Sequence, residues 1–310
     1  MARPLQSPLL ISPRAVVRRH LVAPVARLAG HPLPSPLSGR TVMVTGASSG
    51  VGEATAKLVA ERGATVLLVA RRQEHLDRVV QEIQEAGGTA FGLSCDLTDG
   101  PAVDALVARV LDEHGHVDML VNNAGRSIRR SLKYSYGRMH DFERTMAINY
   151  FGPVRLTLGL LPTMREQRFG HVVNIVTWGV QLKAPKFAAY IASKTALDTF
   201  GRIAGREAWH DNVTFTNVRL SLVRTDMIVA TEAYRHAPAK TPEQAAALVV
   251  RALEDRPLTL GSTVSNVGEV LGLLAPRLMD ALMAATDRRV PDSRAARGAV
   301  AGRDSSGSGA

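Results

Sequence analysis

A tyrosine and a lysine stand four residues apart in the segment Tyr190-Ile191-Ala192-Ser193-Lys194. In an α-helix, positions i and i+4 lie on one face, one above the other. A lysine ammonium in that place lowers the pKa of a neighbouring phenol, which is about 10 in water. Such a phenol can donate a proton to a carbonyl oxygen, or accept one in the reverse reaction. The pair therefore predicts proton transfer at a carbonyl or hydroxyl group.

A glycine-rich turn precedes this pair in the chain and reads TGASSGVG from Thr45 to Gly52. It follows a short apolar run and opens a helical pattern, which is the context of a dinucleotide-binding turn. Gly46 permits a tight turn, whereas Gly50 and Gly52 let the backbone approach a pyrophosphate. The N–H groups of the helix start would point at that anion. Together with the tyrosine and lysine, the turn predicts a bound nicotinamide cofactor and hydride transfer.

The end of the second predicted strand reads Val69-Ala70-Arg71-Arg72 and holds no acidic residue. Enzymes that use NAD(H) usually carry an acid there for the ribose hydroxyls. An arginine can instead form paired hydrogen bonds with a 2′-phosphate, and Ser48 in the glycine turn can add another. The pattern favours NADP(H) over NAD(H). The alternative interpretation is that Arg71 and Arg72 are solvated residues at the start of a helix.

Strands and helices alternate along the body of the chain. Predicted strands cover residues 41–45, 65–70, 89–97, 117–121, 171–176 and 213–220, and predicted helices cover residues 50–62, 72–86, 101–114, 141–167, 188–209 and 241–255. Such alternation predicts an α/β fold with a doubly wound parallel sheet between two helical layers. Residues 257–286 carry apolar positions at helical spacing, interrupted at Pro276.

The charge of the chain is concentrated at its start. The net charge is +10 over 310 residues, and residues 1–40 hold six arginines and no acidic residue. The rest is only mildly basic and shows no aromatic–basic interleaving, so a nucleic-acid partner is not expected. No metal site is predicted, and the single cysteine, Cys95, excludes an internal disulfide. Without a run of 18 apolar residues, the protein is expected to be cytoplasmic, with peripheral membrane contact as a further expectation.

Composition shifts divide the chain into four segments. Residues 1–38 are predicted to be a disordered basic extension, although a targeting segment and a membrane-surface helix over residues 15–29 remain alternatives. Residues 39–262 form the predicted dinucleotide-binding domain. Residues 263–287 are a predicted helical segment, and residues 288–310 are a predicted disordered tail.

With these motifs, residues 40–257 resemble the short-chain dehydrogenase/reductase family, which has a Rossmann-type fold. The resemblance rests on the glycine turn, on Asp96-Leu97, on residues 122–125, on the tyrosine–lysine pair and on Val223-x-Thr225. It implies a catalytic set of Asn149, Thr177, Tyr190 and Lys194, in which Thr177 stands where the family usually has serine. The predicted cofactor residues are Gly46, Ser48, Ser49, Gly50, Val51, Gly52, Arg71, Arg72, Asp96, Leu97, Asn123, Ala124, Gly125, Tyr190, Lys194 and Thr225.

Three longer segments look like the bacterial long-chain fatty acyl-CoA reductases of that family. Residues 122–130 read NNAGRSIRR, residues 141–152 read DFERTMAINYFG, and residues 222–228 read LVRTDMI. This resemblance implies a lipid-like carbonyl substrate, such as a thioester of CoA or of a carrier protein, and a homodimer or homotetramer. The alternatives are a reductase or alcohol dehydrogenase for another lipid, steroid or polyketide, and a dinucleotide-binding scaffold with little turnover.

Three features are candidates for substrate contact. Arg126, Arg129 and Arg130 follow the fourth predicted strand, where they either contact CoA phosphates or an acidic carrier protein, or pair with Asp141, Glu143 or solvent. Residues 221–240 form a candidate lid. The apolar stretch 264–283 is either a wall for an acyl chain or a core or dimer contact.

Overall fold

Seven parallel strands form the centre of the part of the chain that the structure describes. The structure is a computed structural model and describes residues 35–226 and 237–292. The strands are β1 (Thr41–Thr45), β2 (Thr65–Ala70), β3 (Thr89–Ser94), β4 (Met119–Asn122), β5 (Gly170–Thr177), β6 (Val213–Leu220) and β7 (Thr259–Leu260). Their order across the sheet is β3-β2-β1-β4-β5-β6-β7. The predicted doubly wound parallel sheet is confirmed, and its topological switch point lies between β1 and β4, where such sheets bind ligands.

Helices cover both faces of this sheet. The described helices are α1 (Gly50–Ala60), α2 (Gln73–Glu85), α3 (Gly100–His114), α4 (Met139–Met146), α5 (Gly152–Glu166), α6 (Gly179–Leu182), α7 (Ala188–Glu207), α8 (Pro242–Asp255), α9 (Thr263–Leu274) and α10 (Pro276–Arg289). Thr241 begins α8 with a capping box, in which its hydroxyl and the Gln244 side chain satisfy each other's backbone N–H groups. The polar start of this helix was readable from the sequence for that reason.

The apolar strands supply two cores because successive side chains of a strand point to opposite faces. Val42 and Val44 of β1 pack in one fully buried cluster with residues of α1, α2 and α8. Met43 packs in the other cluster with residues of α3 and α5, such as Val103. Both faces of the central strands are therefore buried, which explains why β1 and β2 read as nearly continuous apolar runs.

One predicted helix, over residues 141–167, is wrong as a single element. The chain forms α4, then a π-helical turn over Ala147–Phe151, then α5. Pro153 has no N–H to donate to the carbonyl oxygen of Asn149 four residues earlier, which weakens the regular α-helix at this place. Single π turns inside α-helices occur often at functional sites. The turn shifts Asn149 relative to the face it would occupy in an uninterrupted helix.

Two predicted segment boundaries need correction. Leu37, inside the predicted disordered extension 1–38, is fully buried in the core, and the Ser35 hydroxyl donates a hydrogen bond to Glu254 (3.1 Å). Likewise Asp292, inside the predicted tail 288–310, is buried, with hydrogen bonds described below. Ordered packing therefore includes residues 35–38 and 288–292.

The last third of the chain differs from the sequence pattern in two further ways. The short strand β7 was not predicted, and it pairs with Asn217 and Val218 of β6. Pro276 starts α10, because the first turn of a helix has no use for a proline N–H. Residues 227–236 of the candidate lid lie outside the described residues. Over the described ranges, no helix combines the length and apolar character that crossing a bilayer requires.

Candidate active site

Lys194 lies fully inside the protein on α7, one turn after Tyr190. Its Nζ atom donates a hydrogen bond to the carbonyl oxygen of Ile175 in β5 (2.8 Å). Burial lowers the pKa of Lys194 from its usual value near 10.5 to about 8. Tyr190 is half-buried, and its ring lies 6.3 Å from the ring of Phe187. The structure thus places the predicted pair on one face of α7, against the carboxyl end of β5.

Asn149 connects three parts of the site from its π-helical turn. Its side-chain oxygen accepts from the backbone N–H of Arg126 (2.8 Å). Its amide group donates to the carbonyl oxygen of Arg126 (2.9 Å) and to the hydroxyl of Ser193 (2.9 Å). Ser193 in turn donates to the carbonyl oxygen of Tyr190 (2.7 Å). Asn149 is therefore a buried link between the loop after β4 and the first turn of α7.

Gly125 lies where Asn149 and Lys194 approach each other. A Cβ atom at residue 125 would stand 2.9 Å from the Asn149 side-chain oxygen and 3.2 Å from Lys194 Nζ. Both distances are too short for an ordinary contact. The predicted residues Gly125, Asn149 and Lys194 are thus neighbours, although the sequence places them up to 69 residues apart.

Thr177 ends β5 beside these residues. Its hydroxyl accepts a hydrogen bond from the backbone N–H of Gly179 (3.1 Å). That bond leaves the hydroxyl hydrogen available as a donor. The short helix α6 follows, and Trp178 precedes it, half-buried. Thr177 therefore keeps a donor in the position where the family usually has serine.

The glycine turn is fastened to the carboxyl end of β4. The Thr45 hydroxyl accepts from the backbone N–H groups of Asn123 and Ala124, each at 3.0 Å. The Asn123 amide group donates back to the Thr45 carbonyl oxygen (2.9 Å). Gly46 adopts a φ of +66°, which side chains rarely tolerate, and a Cβ atom at Gly52 would lie 2.1 Å from the Gly46 carbonyl oxygen. Both glycines are required by the backbone at this turn.

The start of α1 is a place for an anion. The Ser49 side chain forms no capping hydrogen bond to this helix within the described part of the chain. The first N–H groups of α1 therefore keep their capacity to bind a phosphate, strengthened by the helix dipole. Thr225 lies next to this turn, since a Cβ atom at Gly50 would be 3.1 Å from the Thr225 methyl carbon. The turn fits the pyrophosphate of a dinucleotide.

The ends of β2 and β3 form the neighbouring part of the site. Arg71 and Arg72 are exposed where β2 ends, and Arg72 precedes the first turn of α2. Asp96 lies after β3 and accepts from the backbone N–H (2.9 Å) and the hydroxyl (2.8 Å) of Thr98. Burial raises the pKa of Asp96, but these hydrogen bonds and the nearby Arg71 charge outweigh it and hold that pKa below its usual range. Arg71, Arg72 and Asp96, which are predicted to contact the adenosine part of the cofactor, therefore lie at the same edge of the sheet.

A row of buried asparagines crosses the sheet beneath the site. Asn122, Asn174 and Asn217 occupy paired positions on β4, β5 and β6. Asn122 donates to Asn174 (3.0 Å), Asn174 donates to Asn217 (3.1 Å), and Asn217 donates to the carbonyl oxygen of Asp198 on α7 (2.7 Å). The sequence pointed only to Asn122. An asparagine inside each of three apolar strands was the signal that could have revealed the other two.

The arginines after β4 have mostly internal partners. Arg129 donates to the carbonyl oxygens of Pro291 (3.1 Å) and Val290 (3.3 Å). Arg130 forms an ion pair with Asp141 (3.4 Å). These contacts agree with the alternative in which the arginines pair with protein groups, and contact with CoA phosphates stays a prediction. Arg126 alone of the three is exposed.

A C-terminal clasp, defined as residues Val290, Pro291 and Asp292 with their partners, holds the loops on both sides of the site. Asp292 accepts from the backbone N–H of Ser131 (3.0 Å) and from its hydroxyl. Lys186, four residues before Tyr190, donates to the carbonyl oxygens of Asp287 (2.8 Å) and Val290 (2.6 Å). No sequence pattern indicated these contacts, because residues 288–310 read as a polar tail.

Helix α9 also packs beside the site. A Cβ atom at Gly268 would lie 2.4 Å from a methyl carbon of Leu182, so α9 and α6 are in close contact. Gln181 of α6 donates to Glu269 (2.6 Å), and Arg219 of β6 donates to the same carboxylate (3.2 Å). The helix that carries the apolar stretch is therefore attached to the segment that follows Thr177.

Comparisons with known proteins agree with this architecture. The model of the short chain dehydrogenase family matches residues 40–235. The chain belongs to the short-chain dehydrogenase family. It is therefore an oxidoreductase of a family whose members use a nicotinamide dinucleotide.

Several relatives cover most of the chain. An uncharacterized oxidoreductase of Mycobacterium tuberculosis is 45% identical over 89% of this chain and 82% of its own length. A fatty acyl-CoA reductase of Acinetobacter baylyi is 44% identical over 84% of this chain and 89% of its own. A fatty acyl-CoA reductase of M. tuberculosis is 43% identical over 88% and 90% respectively.

Solved structures of the family share the fold. A short-chain dehydrogenase from Streptomyces avermitilis is 32% identical and has a TM-score of 0.68, covering 81% of this chain and 99% of its own. A metagenomic short-chain oxidoreductase in complex with NADP is 32% identical and has a TM-score of 0.61, covering 71% and 92%. The Rossmann-type fold implied by the sequence is thus confirmed.

Proposed function

We propose that this chain reduces a long-chain fatty acyl-CoA, or the corresponding fatty aldehyde, with NADPH as the hydride donor. The oxidoreductase chemistry rests on the site in which Gly125, Asn149 and Lys194 meet beside Tyr190 and Thr177. The observation that carries the substrate class is the identity of 43–44%, over more than four fifths of the chain, to two relatives named as fatty acyl-CoA reductases. A lipid-like carbonyl also suits the apolar helix α9, which packs next to the site.

The choice of NADP(H) is supported at the edge formed by β2 and β3. Arg71 and Arg72 are exposed there, and the end of β2 offers no carboxylate to the ribose hydroxyls. An arginine can bind a 2′-phosphate through two parallel N–H groups, which a carboxylate would repel. Asp96, held ionised by Thr98 and Arg71, suits an amino group of the adenine. Related structures hold NADP, which agrees with this assignment.

Tyr190 is the proposed general acid. Its hydroxyl donates a proton to the substrate carbonyl oxygen as NADPH, when bound, supplies hydride to the carbonyl carbon. Lys194 remains mostly protonated at neutral pH, since its pKa is about 8, and its charge favours the ionised phenol. Thr177, with its hydroxyl hydrogen available, orients the carbonyl and stabilises charge that develops on the oxygen.

Asn149 has a positioning role and a link to water. Both hydrogens of its side-chain amide are used by Arg126 and Ser193. Pro153 has no N–H to donate to the backbone carbonyl oxygen of Asn149, so that oxygen accepts no α-helical hydrogen bond. We assign this carbonyl as the place for a water that passes a proton to Lys194.

Reduction of a thioester needs no covalent enzyme intermediate. Addition of hydride and a proton to the acyl-CoA carbonyl gives a hemithioacetal, which breaks its C–S bond to yield aldehyde and CoA thiol. Cys95, the single cysteine, is buried, and its burial raises the pKa of the thiol, so it is a poor nucleophile.

The test is NADPH oxidation by the full chain with palmitoyl-CoA and with hexadecanal in parallel assays. Release of free thiol with the CoA ester supports the acyl-CoA reductase. Turnover of the aldehyde alone makes the protein a carbonyl reductase. NADPH binding without turnover of either substrate contradicts the proposal and favours another ketone substrate or a scaffold. A Tyr190→Phe variant separates those two, because a scaffold keeps its function when the phenol is lost.

A further inference from the structure

The helices α9 and α10 present a large apolar surface to solvent. The strongest exposure is at Leu273 and Leu274, each 79% exposed, and at Val264, which is 72% exposed. Five further apolar side chains of these helices are exposed, namely Val267, Val270, Leu271, Leu278 and Leu282. Contiguous exposed patches of this kind mark interaction sites on folded proteins. This outer surface of α9 and α10 is called the apolar shelf below.

The side chains of the shelf follow helical periodicity. Val264, Val267, Leu271 and Leu274 recur at intervals of three and four residues, so they form one stripe along α9. The only charged residue within α9, Glu269, is directed to the protein, where it accepts from Gln181 and Arg219. The stripe thus carries no charge of its own.

Helix α10 places more cations than anions beside the shelf. Arg277, Arg288 and Arg289 are exposed together with one acid, Asp280, whereas the carboxylate of Asp287 is engaged by Lys186 (2.5 Å). An apolar helix face with arginines beside it is the composition of helices that lie in the interface of an anionic bilayer.

From these observations we propose that the apolar shelf docks on an anionic lipid bilayer. A second copy of the chain is a poorer partner, because a two-fold contact through this surface would bring the arginines of both copies into one interface. A bilayer with anionic headgroups instead neutralises them while its acyl region takes up the valines and leucines.

Docking in this place would bring the active site to the lipid. Gly268 packs against Leu182, so the shelf adjoins the segment that begins with Thr177. A long acyl chain partitions into a bilayer and would reach the site without crossing water. This inference deepens the proposed function and rests on it for the cargo, but the docking itself can be measured without any substrate.

The experiment is co-sedimentation of the full chain with vesicles of phosphatidylcholine and phosphatidylglycerol in equal parts. We expect binding that weakens with salt and is much reduced on phosphatidylcholine alone. A Leu273→Gln/Leu274→Gln variant should bind roughly tenfold more weakly or worse, because it removes two exposed leucines from the buried apolar area. An Arg288→Gln/Arg289→Gln variant should lose roughly five-fold per arginine on the anionic vesicles only.

The matched control is Leu158→Gln/Leu258→Gln, which removes two leucines that are 54% and 59% exposed on other parts of the surface. It should bind as the parent does. Equal binding by the shelf variant and the parent overturns the proposal, and so does self-association that depends on Leu273 and Leu274 without vesicle binding. Thermal unfolding shows that each variant is folded.

The outcomes separate docking from the proposed reaction. If the protein reduces palmitoyl-CoA but does not sediment with vesicles, the proposed reaction is supported and the docking surface is contradicted. If the protein binds vesicles through the shelf but reduces neither acyl substrate, the docking surface is supported and the proposed function is contradicted.

Discussion

Lys186 Nζ lies 2.6 Å from the carbonyl oxygen of Val290, so a residue close to Tyr190 is bound to the far end of the described chain. The same stretch binds the loop after β4, because Asp292 accepts two hydrogen bonds from Ser131. These two loops carry or adjoin the groups proposed for catalysis. Residue 292 lies beyond residues 40–235, which the family model matches.

We expect Asp292→Ala to reduce kcat about tenfold and to lower the free energy of unfolding by about 1–3 kcal/mol. A buried hydrogen-bonded carboxylate is removed, and the Ser131 N–H is left without that acceptor. Steady-state kinetics and urea unfolding measure the two effects. Asp280→Ala, at an exposed carboxylate of α10, is the control and should leave both quantities unchanged. Identical behaviour of the two variants would show that the clasp has no role in positioning.

Replacing both arginines at the end of β2 should change the cofactor preference. For Arg71→Gln/Arg72→Gln we expect KM for NADPH to rise by roughly 10- to 100-fold, because charge-assisted hydrogen bonds to the 2′-phosphate are lost. KM for NADH should change little, since NADH has no such phosphate. Initial rates with both cofactors give the answer. A matched rise for both would mean that these arginines are solvated residues only.

Gly125→Ala tests the approach of Asn149 to Lys194. The added methyl group would displace one or both side chains, since its contacts would be 2.9 and 3.2 Å. We expect kcat to fall by about 10- to 100-fold, the range in which small displacements of catalytic groups act. Gly272→Ala is the matched control, because nothing lies within 4 Å of its added methyl group. That variant should be active and slightly more stable, as alanine favours a helix.

Lys194→Met should abolish turnover and yet stabilise the protein at pH 7. Burial lowers the pKa of Lys194 to about 8, so below that pH the folded state holds a buried charge that the unfolded state, with its pKa near 10.5, keeps in water. The shift corresponds to about 3 kcal/mol, from which loss of the bond to Ile175 subtracts about 1 kcal/mol. We therefore expect a gain on the order of 2 kcal/mol without cofactor.

The same argument gives a pH dependence. Between pH 8 and about 10.5 the unfolded state binds more protons at Lys194 than the folded state does, so this residue makes stability rise with pH in that window. The rise should be missing in Lys194→Met. Urea titrations at several pH values measure it, and parallel curves for parent and variant would contradict it. Lys186→Met, which breaks partnered contacts, should destabilise the protein at neutral pH.

Much of the fold was predictable because its signals are local. A pattern of a few residues was enough to predict the strands β1, β2 and β6. The same is true of the helix that begins with the capping box at Thr241. Tyr190 and Lys194 were found in the same way, from a spacing of one helical turn. The π-helical turn was missed, since the pattern on either side of Asn149 is helical and only Pro153 hints at an interruption.

The connections across the site could not be predicted from the sequence. The hydrogen bonds from Arg129 to Val290 and Pro291 join positions more than 160 residues apart, and no short motif predicts them. Likewise, Asn174 and Asn217 are brought together with Asn122 only by the register of β4, β5 and β6. Pairing of polar groups over such distances is settled by the packed sheet, after the local elements have formed.

The clasp has a consequence for how the protein is made. Synthesis proceeds from the N-terminus, so all seven strands and every proposed catalytic side chain leave the ribosome before Val290 and Asp292 do. A nascent chain can therefore form the sheet and receive a dinucleotide while the loops beside Tyr190 lack their last partners. Catalytic competence would then follow the synthesis of residue 292, later than the fold that supports it.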